Sequence, residues 1–231
     1  MTQAESATPW ASFDEYLHTL TENGRRRAKK ERRIFENAGY RVEQVSLTSA
    51  NLDEMAQLHA QRLKSRSGKE ASTDFIRKVL DQIVLLHGDV AEVSIIKGPG
   101  GTAGFCLTYR YNRALYPKMS GFDERVARHR GFFNGVFYAT LSLGADPAVD
   151  RIVWGPSIER AKVSRGATLH LRLTFVRRLK GATHTLLRAC AWQTRRLAAN
   201  LEHQIEGLSS AGEVMSELKR IERIVQRACG E

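Results

Sequence analysis

The chain has 231 residues, 42% of them hydrophobic and 26% charged, with only five prolines, which suits one good-sized core with an appendage and excludes a disordered chain. Three widely spaced cysteines, Cys106, Cys190 and Cys229, fit neither a disulfide framework nor a paired zinc site, and neither a signal peptide nor a membrane-length apolar run is visible, so a cytoplasmic protein with no membrane partner is expected. The net charge of +11 is segregated: residues 25–33 hold seven Lys or Arg against Glu31 alone, and residues 161–200 hold nine with no Asp or Glu, a pattern that attracts polyanions unless the first cluster is only the solvated face of a helix.

Along the chain, Ser12-Phe13-Asp14-Glu15 is a capping box that opens a helix through Tyr16, Leu17 and Leu20, broken at Asn23-Gly24. A basic helix follows from Arg25 to Asn37. Residues 40–47 alternate as a strand, and Leu52, Met55, His59 and Leu63 mark a helix that starts from Thr48 or Ser49. After a polar loop at 65–72, a helix over 73–87 is expected to bury Phe75, Val79 or Leu80, and Ile83. Three strands come next, 91–97, 102–111 and 114–120, joined by the turn sequences Gly98-Pro99-Gly100-Gly101 and Asn112-Arg113 as an antiparallel meander. The apolar run Phe132 to Leu143 reads as a buried helix. It leads through Asp146-Pro147 into a strand at 151–154 that, following a helix, can lie parallel to its neighbour. A short helix over 158–164, a strand through Leu169, Leu171, Leu173 and Phe175 with a basic opposite face, and helices from 183 to 229 complete the reading. In the last helix Val214, Leu218, Ile221 and Val225 repeat at 4-3-4 spacing and are expected to pack on the domain or on a second copy.

The chain lacks the nucleophile elbow of the hydrolases, the zinc-protease helix motif, the Walker loop and the dinucleotide fingerprint, which removes several enzyme classes. It carries instead a discontinuous motif: Tyr116-Pro-Lys-Met-Ser-Gly-Phe-Asp123, Phe133-Asn134, Trp154-Gly155-Pro156, Lys162 and Arg165-Gly166. Its polar residues collect where strands stop.

This order of elements, with the Ser-Phe-Asp-Glu-Tyr-Leu opening, the Arg-rich helix and the discontinuous motif, resembles the GNAT acyltransferase fold in its BioF2-like and Fem-like branch, over roughly residues 12–178. The resemblance implies an α/β (α+β) fold: a mixed, mostly antiparallel sheet flanked by helices. It divides the chain into an N-terminal helical arm at 1–39, an acyltransferase domain at 40–180 and a C-terminal helical extension at 181–231. Fem-like proteins often hold two such units in tandem, and this chain resembles the second alone.

The chemistry so implied is direct attack of an amine on an activated acyl or aminoacyl group, with aminoacyl-tRNA or acyl-CoA as co-substrate, no tightly bound cofactor and no metal. CoA-binding members cradle the pyrophosphate in a Gln/Arg-x-x-Gly-x-Gly/Ala loop. Here Glu124 to Gly131 keeps only the final glycine, which favours aminoacyl-tRNA and leaves Arg128 and Arg130, beside Arg125, to hold phosphate by side-chain charge. By the same resemblance Lys162 lies near the donor ester, or is an exposed helix lysine, and Arg165, Gly166 and Arg172 assist with phosphate, unless Arg165 is an ordinary solvated arginine. Tyr116 and Asp123 orient and deprotonate the amine, although Asp123 also reads as a helix cap. Glu159 is a second base, or a plain acid at a helix start. Asn134 faces the acyl carbonyl, or satisfies a buried backbone group. The expected partners are tRNA or acyl-CoA, a small-molecule or peptide amine, and a second copy through the C-terminal helices. The alternative from another class is a non-catalytic RNA-binding or scaffold subunit on the same fold.

Overall fold

The computed structural model describes residues 2–155, 158–171 and 216. The chain divides into two compact units, Ala7–Val153 and a smaller one made of Met1–Ser6 with the chain from Trp154 onward.

The larger unit begins with two helices whose caps are written in the sequence. Ser12 Oγ accepts from the Glu15 amide at 3.2 Å to start α1 (Phe13–Thr19), and Thr21 Oγ1 accepts from the Gly24 amide at 3.2 Å to start α2 (Glu22–Asn37). Asn23-Gly24 therefore lies inside the first turn of α2 and does not break the path before it. Asn51, and neither Thr48 nor Ser49, caps α3 (Leu52–Ser67), because residues 47–49 are themselves a tight 3-10 turn. Ser72 caps α4 (Thr73–His87). Of the expected stripe Leu80 is buried and Ile83 packs on the core, but at its start Ile76 is buried and Phe75 is 67% exposed.

Four strands lie side by side and antiparallel, β2 (Arg41–Ser46), β3 (Ala91–Gly98), β4 (Gly101–Tyr111) and β5 (Ala114–Phe122), the last three as the expected meander. The chain then runs through α5 (Glu124–Arg128), a π-helical turn (Phe133–Tyr138) and α6 (Ala139–Leu143) into β6 (Arg151–Trp154), which pairs parallel to β5 at Ala114 with Arg151 and Leu115 with Ile152. This is the mixed, mostly antiparallel sheet with flanking helices. One core lies where α3 and α4 pack on it, with Leu47, Met55, Leu58, Ile76, Leu80, Val93, Ile95, Phe105 and Leu107. A second gathers Phe35 of α2 and Val126 of α5 against Ile96 and Ala103. β3 and β4 are thus covered on both faces, which is why Val93-Ser94-Ile95-Ile96 and Phe105-Cys106-Leu107 do not alternate in hydropathy. Each fully buried Leu or Phe contributes roughly 1.5–3 kcal/mol of transfer free energy.

Between Leu107 and Thr108 the pairing slips: Leu107 faces Met119 and Thr108 faces Pro117, so Lys118 is an extra residue in β5. Pro117 has no amide hydrogen to give to a ladder, and a bulge is where a strand tolerates that.

In the smaller unit β1 (Thr2–Ala7) pairs antiparallel with β7 (Thr168–Leu171), and Trp154 Nε1 donates to Ser6 Oγ at 2.9 Å. β1 was not among the expected elements. Its buried residues, Ala4 and Ser6, are too small to write a hydrophobic alternation. The short helix α7 (Glu159–Val163) falls where it was expected. Arg172, Cys190, Cys229, the expected continuation of the strand beyond Leu171, and the expected C-terminal helices and dimer contact lie outside the described residues. Among the described residues no helix is long and apolar enough to cross a membrane.

Candidate functional site

The functional side chains of the larger unit are set by where β5 and β6 part. Their pairing covers only the first two residues of β5, and the strand then runs on through the bulge at Lys118 to Phe122. Such a parting of neighbouring strands is where open sheets take ligands. At this end α3 comes unusually close to the sheet. A Cβ on Gly121 would lie 2.5 to 2.7 Å from the backbone of Leu58 and His59, so only glycine permits the approach.

That approach delivers two side chains to one oxygen. His59 Nδ1 and Arg62 Nη1 both donate to the Ser120 carbonyl, at 2.9 and 3.1 Å. A carbonyl can only accept, so Nδ1 carries the ring proton and Nε2 keeps its lone pair. Burial is the main cause that lowers the His59 pKa below its ordinary value, and the nearby Arg62 adds to it while the bond to Ser120 opposes it. Burial thus favours the neutral ring. The Arg62 guanidinium lies over two rings, 5.4 Å from the centroid of Phe122 and 5.5 Å from that of Phe132. Cys106 is buried nearby, and burial pushes its thiol up to about 11, which makes it inert at neutral pH. Sequence reasoning used His59 only as a marker of a helix face and passed over Arg62. The available signal was their i, i+3 spacing beside the apolar stripe of α3.

Tyr116 sits at the other end of β5, opposite Tyr109 of β4 and 5.7 Å from Lys118 Nζ at its ring. Asp123 caps α5: its Oδ1 accepts from the Arg125 amide at 2.7 Å, and its carboxylate bonds the Arg125 guanidinium at 2.6 to 3.1 Å. Arg125 is the main cause that holds this carboxyl below its usual range. A carboxylate stabilised in this way is a weak base, and the structure places Asp123 as the cap.

Asn134 is buried in the π-helical turn, and its Nδ2 donates to two backbone carbonyls, Glu31 at 3.2 Å and Arg130 at 3.1 Å. This is the backbone-satisfying role, and it ties α2 to the turn at Arg130, a non-glycine residue at φ 65°. Arg128 and Arg130 are exposed on that turn. On α2 Arg26 pairs with Glu22 and Arg32 with Glu36, whereas Glu31 turns inward, 7% exposed, to accept from the Tyr138 hydroxyl. The single acid of the basic cluster is thus withdrawn from the surface. Arg27, Lys29, Lys30 and Arg33 remain exposed.

The smaller unit groups Glu159, Lys162 and Arg165, each 4% exposed, within one short helix and the turn that ends it. Three ionisable groups buried in seven residues is an arrangement rarely kept for stability alone. Lys162 Nζ donates to the Gly155 carbonyl. Burial brings its pKa down to about 8, with Glu159 opposing. Arg165 Nη1 donates to the Ala161 carbonyl at 2.8 Å and the Ser164 hydroxyl at 3.3 Å. Ile158 precedes the helix at φ 55°, a strained conformation for a β-branched residue, and Gly166 closes it at φ 84°. Among the described residues no group of three His, Cys, Asp or Glu can hold a metal ion.

The strand order, the parallel pair that parts and the bulge define a GNAT-fold domain. Residues 22–133 match the family model described as Acetyltransferase (GNAT) domain. Among solved structures the chain is similar to FemX, with 12% identity, a TM-score of 0.52, and coverage of 73% of this chain and 59% of that one. It is similar to a conserved protein of unknown function from Bacteroides thetaiotaomicron, with 15% identity, a TM-score of 0.51, and coverage of 71% and 55%. It is similar also to the C-terminal DUF2156 domain of a protein named a lysylphosphatidylglycerol synthetase from Agrobacterium fabrum, with 9% identity, a TM-score of 0.51, and coverage of 73% and 57%. The chain thus spans little more than half of each of these three, and at such identities they share its fold. No curated protein matches it in sequence.

Proposed function

We propose that the protein is an N-acyltransferase in which an amine attacks an activated acyl group directly, and that the donor is an aminoacyl-tRNA. The observation that carries the choice of donor is the Asn134 bridge. It joins the backbone of α2 to that of the Arg130 turn, and so combines two cationic segments a hundred residues apart into one surface suited to a phosphate backbone.

The stretch that would cradle a pyrophosphate supports the same choice. The amides of Arg125, Ala127, His129 and Arg130 all bond within it, and Gly131 is there because a Cβ would strike Val126 at 2.6 Å. Amides engaged in this way do not form an anion nest. Lys162, most of it protonated at pH 7 given a pKa of about 8, is the group we assign to the donor ester, where a fixed cation stabilises the oxyanion that forms on attack. The Fem-like branch that the sequence resembles uses this class of donor, and FemX is among the structural neighbours.

The test is to titrate the protein with charged tRNA and with acetyl-CoA, and to follow acyl transfer by mass spectrometry. Salt-sensitive binding of tRNA with transfer from it supports the reading. Micromolar, salt-insensitive binding of acetyl-CoA with none of tRNA overturns the choice of donor. Binding of tRNA that Lys162→Ala leaves intact, with no transfer in either protein, would identify a non-catalytic RNA-binding subunit instead.

A further inference from the structure

We propose that α3 forms the acceptor site and that the acceptor is an amino acid: Arg62 holds its carboxylate while His59 Nε2 takes the proton of its amine. The inference rests on the acyl-transfer reading above and names the substrate of that reaction. Arg62 is the first reason. Among the described residues no carboxylate forms an ion pair with it and the cation of Arg66 lies nearby, whereas Arg110, also partly buried, has Glu92 and Asp146. A half-buried guanidinium held by two aromatic faces and one carbonyl keeps donors in its planar fork, and that fork matches a carboxylate.

Geometry is the second reason. His59 and Arg62 reach the same Ser120 oxygen, so the proton acceptor and the anion receptor stand side by side. In an amino acid the amine and the carboxyl carbon are attached to one carbon, and a single small molecule spans both groups. The tautomer is already correct, since the bond to Ser120 puts the hydrogen on Nδ1 and leaves Nε2 basic.

In the reaction the bound ammonium gives one proton to Nε2, and its freed lone pair forms a C–N bond to the acyl carbon. The C–O bond to the tRNA ribose then breaks, its electron pair leaves with the oxygen, and that oxygen takes the second proton of the nitrogen. His59 returns its proton to solvent. The products are an N-acylated amino acid and free tRNA.

The test is isothermal titration of the full chain with L-alanine, L-lysine and L-glutamate, each against its α-carboxamide, in the native protein, Arg62→Gln and Arg62→Lys. At least one free acid is expected to bind about tenfold or more tighter than its amide, as loss of a charged hydrogen-bond partner implies. Arg62→Gln should abolish that preference and Arg62→Lys should keep part of it. The proposal is overturned if no acid binds, if acid and amide bind alike, or if Arg62→Gln keeps the preference. The native acid-to-amide comparison needs no variant to fold. Selective binding without product from charged tRNA or acetyl-CoA would overturn the acyl-transfer reading and leave the site standing. Product formed equally from acids and amides would do the reverse.

Discussion

Lys162 shows how a residue picked by position acquires its chemistry from burial. The residue is 4% exposed, and its pKa falls from 10.5 to about 8. Between those values the unfolded chain binds more protons than the folded one, so this residue makes stability rise with pH across that window, by on the order of 3 kcal/mol in all. At pH 7 the charge opposes folding by the same amount. Lys162→Met is therefore expected to raise Tm at pH 7, with the gain shrinking as pH approaches 10, while acyl transfer falls by about 10²-fold or more if the cation faces the oxyanion. Thermal unfolding of both proteins at pH 7 and pH 9.5 checks this, and a variant less stable at pH 7 would contradict it. The sequence placed Lys162 on a short helix but left it open to being a solvated lysine. A side chain does not announce its own burial, and for the same reason Asp123 and Asn134 each kept two readings until their partners, Arg125 and the carbonyls of Glu31 and Arg130, were in view.

At the scale of elements, the contact between α3 and β5 turns on Gly121. Any Cβ there meets backbone atoms of Leu58 and His59 at 2.5 to 2.7 Å, and backbone cannot rotate aside as a long side chain can. Gly121→Ala is expected to destabilise the protein by about 2–3 kcal/mol, seen as a lower urea midpoint at an unchanged slope. Because His59 and Arg62 ride on α3, amino-acid binding should weaken in the variant far more than tRNA binding. Equal loss of both, or a shift of the urea midpoint within error, would sink the idea. The helices, the meander and the parallel strand were legible because their caps, turns and periodicities are local. The rest depends on partners distant in sequence: β1 hides behind Ala4 and Ser6, the burial of Ile76 in place of Phe75 is set by the core that α4 meets, and the pair His59 and Arg62 gains meaning only where Gly121 lets α3 approach Ser120.

At the scale of the whole molecule the question is whether charge segregation is a binding device or a solvated surface, and the structure offers matched groups to separate the two. Arg26 and Arg32 are paired with Glu22 and Glu36, so each already has a counter-charge. Lys29, Lys30, Arg33, Arg128 and Arg130 are exposed with no ion pair among the described residues, and each is able to displace a counterion from a phosphate. With about four or five such contacts the logarithm of the tRNA association constant should fall with the logarithm of salt at a slope of roughly −3 to −4.5, given about 0.7–0.9 per phosphate. Lys29→Gln with Arg33→Gln removes two of those contacts and should flatten the slope by about 1.5 to 2. Arg26→Gln changes the net charge by the same amount as either one alone, yet it takes away a cation that Glu22 already neutralises. It should leave the slope nearly unchanged. Filter binding from 50 to 300 mM salt distinguishes the cases: if Arg26→Gln flattens the slope as much as Lys29→Gln does, the attraction follows net charge alone, and the surface joined by Asn134 has no specific place in holding the donor.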